Sequence, residues 1–230
     1  MTDPRLLDNI FWHALAGPQA RFARGTAVAR RFARDYSPIV AFADARSPDF
    51  AALAPYCDAG ERFYCDGWSG RVPAGWRVDV DATMYKMVWE GPIPDDDAPE
   101  AQPLDARHAT QALELARLTR PGPFGPKTIE LGDYFGLFDD ERLVAMAGER
   151  VFAGGWREIS GVCTQPDQQG RGLARRLMHK LLRRELLRGE RPFLHVAGTN
   201  TGAVRLYERM GFRIHRESTV RVVALDAAPR

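Results

Sequence analysis

The chain has 230 residues, with 32 Lys plus Arg against 30 Asp plus Glu, a formal net charge of +2. So small a charge excludes a protein that coats polyanions over its whole surface, and 45% apolar with 27% charged residues excludes a disordered or collagen-like chain. No apolar run approaches the ~18 residues of a membrane span, and Met1-Thr2-Asp3-Pro4 lacks the basic and apolar regions of a leader, so a soluble, cytoplasmic protein with no membrane partner is expected.

Taken in chain order, residues 21–34 carry Arg21, Arg24, Arg30, Arg31 and Arg34 interleaved with Phe22 and Phe32, which predicts a solvated amphipathic helix. Residues 38–43 read as a buried strand, 49–56 as a short helix, and 62–65 and 84–89 as strands. Cys57, Cys65 and Cys163 are scattered, without a C-x-x-C pair or neighbouring His, so free thiols and no metal site are expected. Residues 91–100 hold three prolines and four carboxylates, the composition of an exposed connector, which places a boundary between an N-terminal α/β domain (1–95) and a second domain (101–230).

Beyond the connector, Asp105 can cap a helix whose stripe is Ala109, Ala112, Leu113 and Ala116, ended by Pro121-Gly122-Pro123. Residues 134–138 and 142–152 flank Asp139-Asp140-Glu141 as a hairpin, and 157–164 form a third strand. Leu173, Leu177 and Leu181 with Ala174, Met178 and Leu182 recur at i, i+4, i+8, predicting a long amphipathic helix to about Arg188. A strand at 193–197, a helix at 201–210 capped by Gly211, and strands at 212–215 and 220–225 follow. The fold class is α/β (α+β), the motif-bearing half running α, β-β-β, α, β, α, β-β.

At a strand-to-helix junction lies Gln169-Gly170-Arg171-Gly172-Leu173-Ala174. Glycines there allow close backbone approach, and the first N–H groups of the helix lack internal partners, which suits an anion such as a pyrophosphate; Arg171, Arg175 and Arg176 add charged donors. Neither a Walker loop nor a Rossmann fingerprint is present. With Gln169, Gly172 and Ala174 the loop resembles the Q/R-x-x-G-x-G/A pyrophosphate loop of the GNAT superfamily of acyl-CoA-dependent N-acetyltransferases. The run from Asn200 through Ala203 and Tyr207 to Gly211-Phe212 resembles that family's N-x-x-A-x-x-x-Y-x-x-x-G-F element. The likeness covers about residues 101–230; the run 158–166 looks most like the glycine N-acyltransferase-like branch, in which the N-terminal half is a degenerate copy of the same fold.

The resemblance implies a mixed, mostly antiparallel sheet flanked by helices and acyl transfer from acetyl-CoA or another acyl-CoA to a small primary amine. Val162, Cys163 and Thr164 would offer backbone groups to the pantetheine from a splayed strand. Residues Gln169, Gly170, Arg171, Gly172, Leu173 and Ala174 with Arg175 would hold the pyrophosphate, and Asn200, Ala203 and Tyr207 would complete the cofactor site. Tyr207 would protonate the departing thiolate. Glu158 would be the general base, its pKa raised by partial burial, with Glu149 and His195 in reserve; its competing reading is a strand Glu paired with Arg157 or Arg150.

Strand alternation puts Cys163 opposite Glu158, favouring direct transfer in a ternary complex over an acyl-enzyme. A non-catalytic CoA sensor is the alternative, and acetylation of a protein amine another. His13, His108, His179 and His215 read as surface or packing residues. The loop at 120–126, with Phe124 at its tip, is a candidate wall of the acceptor site. Residues 171–191 hold seven Arg plus Lys180 against Glu185 and Glu190, a local net of +6, yet lack interleaved aromatics, so no nucleic-acid partner is expected. The resemblance also leaves room for a homodimer.

Overall fold

An eleven-stranded sheet runs through the computed structural model, which describes residues 2–226. The chain enters through α1 (Ile10–Ala16), β1 (Ala23–Gly25), β2 (Ala29–Phe32), β3 (Ile39–Phe42), α2 (Phe50–Leu53), β4 (Arg62–Asp66) and the long β5 (Trp76–Trp89). After the acidic connector come β6 (Gln102–Pro103), α3 (Ala109–Thr119), β7 (Tyr134–Asp139), β8 (Arg142–Ala153) and β9 (Trp156–Thr164). Next are α4 (Leu173–Leu187), β10 (Arg191–Ala197), α5 (Thr201–Met210) and β11 (Phe212–Leu225). The strand order is β1-β2-β3-β4-β11-β5-β10-β9-β8-β7-β6. Strands from both sides of the connector therefore share one sheet, with β5 hydrogen-bonded between β11 and β10.

Period-2 alternation along the central strands buries different helices on the two faces. Met87, Leu194 and Ile159 pack with Leu177, Met178, Leu181 and Leu182 of α4, whereas their neighbours Val88 and Phe193 pack with Ile10, Ala14 and Leu15 of α1. Burying each of those leucines contributes roughly 1.5–3 kcal/mol.

The amphipathic helix expected at 21–34 does not form. Thr26 Oγ1 accepts from the backbone N–H groups of Val28 and Ala29 (3.2 and 3.1 Å), closing a turn between β1 and β2. In the resulting hairpin Arg31 is buried, pairs with Glu61 and lies 4.4 Å from the centre of the Phe63 ring. A guanidinium with a carboxylate and an aromatic face can be buried in a strand, and this tertiary environment overrides the helical spacing. The two closing strands expected at 212–215 and 220–225 are one strand, β11, which absorbs the polar stretch between them by pairing with β5 around a bulge at His215.

The hairpin β7–β8, helix α4 and helix α5 form where the hydrophobic periods place them, and Asp105 caps the turn leading into α3, its carboxylate accepting from Arg107 N at 2.9 Å. One residue of α4 breaks its apolar stripe. Glu185 is fully buried, neither carboxylate oxygen has a partner among the described residues, and burial with the Glu149 charge nearby raises its pKa well above the ordinary value.

A carboxyl whose folded-state pKa is raised costs stability at every pH above its unfolded value, and the cost fades as pH falls toward that value. Glu185→Leu is therefore expected to raise unfolding free energy by about 1–3 kcal/mol at pH 7, with a smaller gain at pH 5. Urea melts at the two pH values measure this, and a destabilised variant at pH 7 would contradict it.

Candidate active site

Strands β9 and β10 run parallel but pair only where Trp156, Arg157 and Glu158 face Arg191, Pro192 and Phe193. Beyond Glu158 the strands part, because β10 stays with β5 through Ala197. Between them opens a cavity of about 1000 Å³.

At one end lies the glycine loop. Gly172 caps α4 with φ +75°, a left-handed conformation that costs a residue with Cβ but not glycine, and no side chain among the described residues caps the first turn of the helix. The N–H groups there are free to meet an anion. Gln169, Gly170, Gly172, Leu173, Ala174 and Arg175 line this end. Arg171 does not, its guanidinium being turned onto Gln168. Val162, Cys163 and Thr164 form one side of the cleft. Asn200, whose side chain caps α5 by accepting from Ala203 N at 3.2 Å, lies opposite with Ala203 and Tyr207.

The register between β8 and β9 slips at Gly161, where three steps from Ser160 to Cys163 face two from Gly148 to Met146. Gly161 adopts φ +62°, and a Cβ there would come within 3.0 Å of the Tyr134 ring. The bulge reverses the alternation. Ile159 and Val162, three apart, both pack toward α4, so Cys163 falls on the face of Glu158 and joins the cluster of Tyr134 and Leu115. This corrects the expectation that Cys163 and Glu158 lie on opposite faces. Burial pushes the Cys163 thiol up to about 12, so it is protonated and a poor nucleophile at neutral pH.

Glu158 is completely buried and does not line the cavity. It accepts from Arg150 Nε at 3.0 Å and Nη2 at 2.6 Å, and lies 2.7 Å from His195 Nδ1. Burial alone would raise its pKa, but Arg150 and His195 outweigh burial and hold the carboxyl at about 2. The raised pKa expected from the sequence is thus reversed by an ion pair with Arg150.

His195, by contrast, lines the cavity. Its Nδ1 faces an ionised carboxylate, which can only accept, so Nδ1 carries the proton. Burial, reinforced by the Lys86 charge and opposed by Glu158, lowers the imidazole pKa below its ordinary 6.5. The neutral ring consequently has its lone pair on Nε2, which is buried without a partner among the described residues. Stacking on Phe11 (centroids 5.0 Å apart) and an edge contact with Phe193 fix the ring plane. Glu149, the other reserve base, lies in an ion-pair cluster with Arg157 and Arg188 away from the cavity.

Tyr207 sits on α5 against Phe212, and burial pushes its phenol up to about 12, so it keeps its proton through the neutral range. In the loop at 120–126, Arg120, Pro121, Gly122 and Pro123 line the cavity, while Phe124 is turned inward against Tyr134.

The N-terminal half closes the end beyond His195 with Phe11, Ile39, Tyr64, Asp66 and Met84. Sequence reasoning passed over these as site residues and named Arg150 only as an alternative partner of Glu158. A lone charge inside an apolar strand was the available signal, in Lys86 within Met84-Tyr85-Lys86-Met87-Val88-Trp89 and in Arg150 within the hairpin.

The FR47-like protein family profile matches residues 134–222, the stretch that carries the splayed strand, the glycine loop and Tyr207. A protein of Novosphingobium aromaticivorans assigned to the GNAT family of acetyltransferases is 35% identical over 96% of this chain and 99% of its own, with a TM-score of 0.88. The chain belongs to the GNAT family.

GCN5-related N-acetyltransferases of Kribbella flavida and, by likeness, Streptococcus suis share the GNAT fold over 94% of this chain, at TM-scores of 0.61 and 0.59 and 18% identity. They cover 94% and 92% of their own chains. No curated protein matches the sequence. The basic helix α4 of this GNAT chain is largely neutralised internally. Lys180 bonds Asp96 at 2.7 Å and Arg176 bonds Glu100 at 2.7 Å, both in the acidic connector, while Arg184 bonds Asp133 at 2.6 Å. Among the described residues no cluster of His, Cys, Asp and Glu could hold a metal ion, and no helix is long and apolar enough to cross a membrane.

Proposed function

We propose that the protein transfers an acetyl group from acetyl-CoA to the primary amine of a small molecule, directly, in a ternary complex. Within the family we place it nearest the glycine N-acyltransferase-like branch, on the run 158–166. The observation that carries the reading is a neutral imidazole in the wall of the cavity between the splayed strands, its buried Nε2 without a partner among the described residues, in one cavity with an uncapped helix start. The residues present fit acetyl-CoA. The N–H groups at 170–174 and Arg175 suit its phosphates, and the unpaired edge of β9 suits the amides of its arm.

When bound, acetyl-CoA supplies an acyl group activated as a thioester. His195 Nε2 takes a proton from the amine as the N–C bond forms and the C–S bond breaks, and Tyr207 gives its proton to the departing sulfur. Glu158 acts through His195, fixing its tautomer and orientation and stabilising the imidazolium that forms, so it is a positioning residue and not the proton acceptor. Free backbone N–H groups of β9 opposite the cleft can polarise the thioester carbonyl.

A screen of primary amines with acetyl-CoA tests the reading, with amide formation expected for at least one small amine. CoA binding without transfer to any amine would instead identify a sensor, and acetylation confined to protein N-termini or lysines would move the acceptor to a macromolecule. Tyr207→Phe is expected to lower kcat by about 10²-fold or more with little change in KM for acetyl-CoA, because it removes one proton donor and no binding surface. Steady-state kinetics check this.

A further inference from the structure

Beyond His195 the cavity wall has an unusual hydrogen-bonding balance. Most of its N–H donors are committed, three of the five on Arg150 and two of the three on Lys86 behind the wall. Arg150 gives Nε and Nη2 to Glu158 and Nη1 to Pro123 O, and Lys86, almost fully buried, gives Nζ to Leu7 O and to Asp66 Oδ2 (3.3 Å). Its acceptors retain capacity. His195 Nε2 has no partner among the described residues, and Asp66 takes one bond on each oxygen, from Ser218 Oγ (2.6 Å) and from Lys86, leaving a second lone pair on each. Asp66 and His195 line the same cavity, and each feels the other's charge. The surfaces beside them, Phe11, Ile39, Met84 and Val220, are apolar, and Tyr64 brings one phenol, which can accept as well as donate, to the same wall.

Two acceptors with spare lone pairs, cations already committed to other partners and an apolar surround complement a group that only donates, carries positive charge and is attached to hydrocarbon. An alkylammonium ion has three N–H donors and no acceptor. We propose that this end of the cavity binds the acceptor as an alkylammonium ion, with Asp66 of the N-terminal half holding it beside His195. The proposal rests on the acetyltransfer reading and extends it to the acceptor.

An aliphatic amine, with a pKa near ~10, arrives almost wholly protonated at neutral pH, so a site must first bind the cation and then remove one proton. Asp66, held ionised chiefly by Lys86 against the effect of burial, does the first. That proton passes by way of His195 to water in the open cleft, which returns Nε2 to the neutral form that takes the second proton as the N–C bond forms. Arylamines, which are neutral at this pH, gain no charge attraction from Asp66. The N-terminal half thereby acquires a role that its lack of a glycine loop had left open.

The test is titration calorimetry of the CoA-loaded protein at pH 7 with butylamine, a cation, and butan-1-ol, its neutral counterpart. Neither is consumed, since no acyl group is present. Butylamine is expected to bind at least about tenfold more tightly. In Asp66→Asn that preference should fall to less than about threefold with CoA affinity unchanged.

Equal binding of amine and alcohol by the wild type, or an undiminished preference in the variant, overturns the proposal. If the Asp66→Asn variant does not fold because Lys86 loses its counter-charge, the wild-type comparison decides alone. Failure of CoA to bind, or of any amine to be acetylated, strikes the acetyltransfer reading. An active acetyltransferase without ammonium preference strikes only this one.

Discussion

His195→Gln is expected to lower kcat by about 10²–10⁴-fold while KM for acetyl-CoA stays close to the wild-type value. The asymmetry follows from place. His195 lies on β10 beyond its pairing with β9, facing the cleft, whereas the glycine loop and Asn200 belong to other elements. Glutamine at this position can still donate toward Glu158, but its far end offers no basic nitrogen.

The pH profile gives a second readout of the same group. The groups that face the ring are Glu158 from β9, Lys86 from β5 and Asp66 from β4, and their balance with burial sets the imidazole pKa below 6.5. Since the base must be neutral, kcat/KM for the wild type should fall on an acid limb whose midpoint lies below 6.5. Glu158→Gln should lower kcat and change this acid limb, because the carboxylate that opposes the lowering of the His195 pKa is gone. A single acid limb near 4 that persists in His195→Gln would point to a carboxylate as the proton acceptor.

The sequence carried the catalytic half of the architecture further than the chemistry of its centre. The i, i+4, i+8 stripe of α4 and the Asn200-to-Phe212 run are local patterns, and local periodicity is enough to place helices against a sheet. The glycine loop was readable because Gly172 marks a backbone conformation and the helix start after it lacks a cap. What the sequence left between alternatives, Glu158 as the base or as the partner of Arg150 with His195 in reserve, depends on contacts between distant strands. Glu158 and Arg150 meet only because β8 and β9 pair with two slips, and His195 reaches Glu158 only because β10 lies beside β9 at that one point.

Strict alternation also failed at Gly161, since one extra residue in a strand exchanges the faces of everything after it. In the N-terminal half the Arg-rich segment misled for a related reason. The spacing of Arg21, Arg24, Arg30 and Arg31 resembles a helix face, but the partners that bury Arg31, Glu61 and Phe63, are supplied by another part of the chain.

Arg150→Met should be the most damaging single change to stability. Removing one partner of a buried ion pair leaves the other charge uncompensated, at a cost of about 3–5 kcal/mol, a large part of the ~5–15 kcal/mol that holds a typical domain together. The dependence on pH should also change sign. In the wild type Glu158 is held at about 2, below its unfolded value, so its contribution is fully present above the unfolded pKa and is lost as pH falls toward 2.

Without Arg150, burial becomes the dominant influence and pushes the carboxyl above its ordinary value, so the variant should gain stability relative to wild type as pH is lowered from 7 to 5. The proton that the buried site then takes up is shared between Glu158 and His195, 2.7 Å apart, and to the extent that it rests on His195 it consumes the base. Stability and activity therefore fail together in Arg150→Met. The double variant Arg150→Met with Glu158→Leu, which removes both charges, should regain much of the stability but little of the activity. Denaturant melts at pH 7 and pH 5 beside kcat for the three proteins test the argument. A single variant as stable as wild type at pH 7, or a double variant no more stable than the single, would show that the pair does not hold Glu158 in the way described.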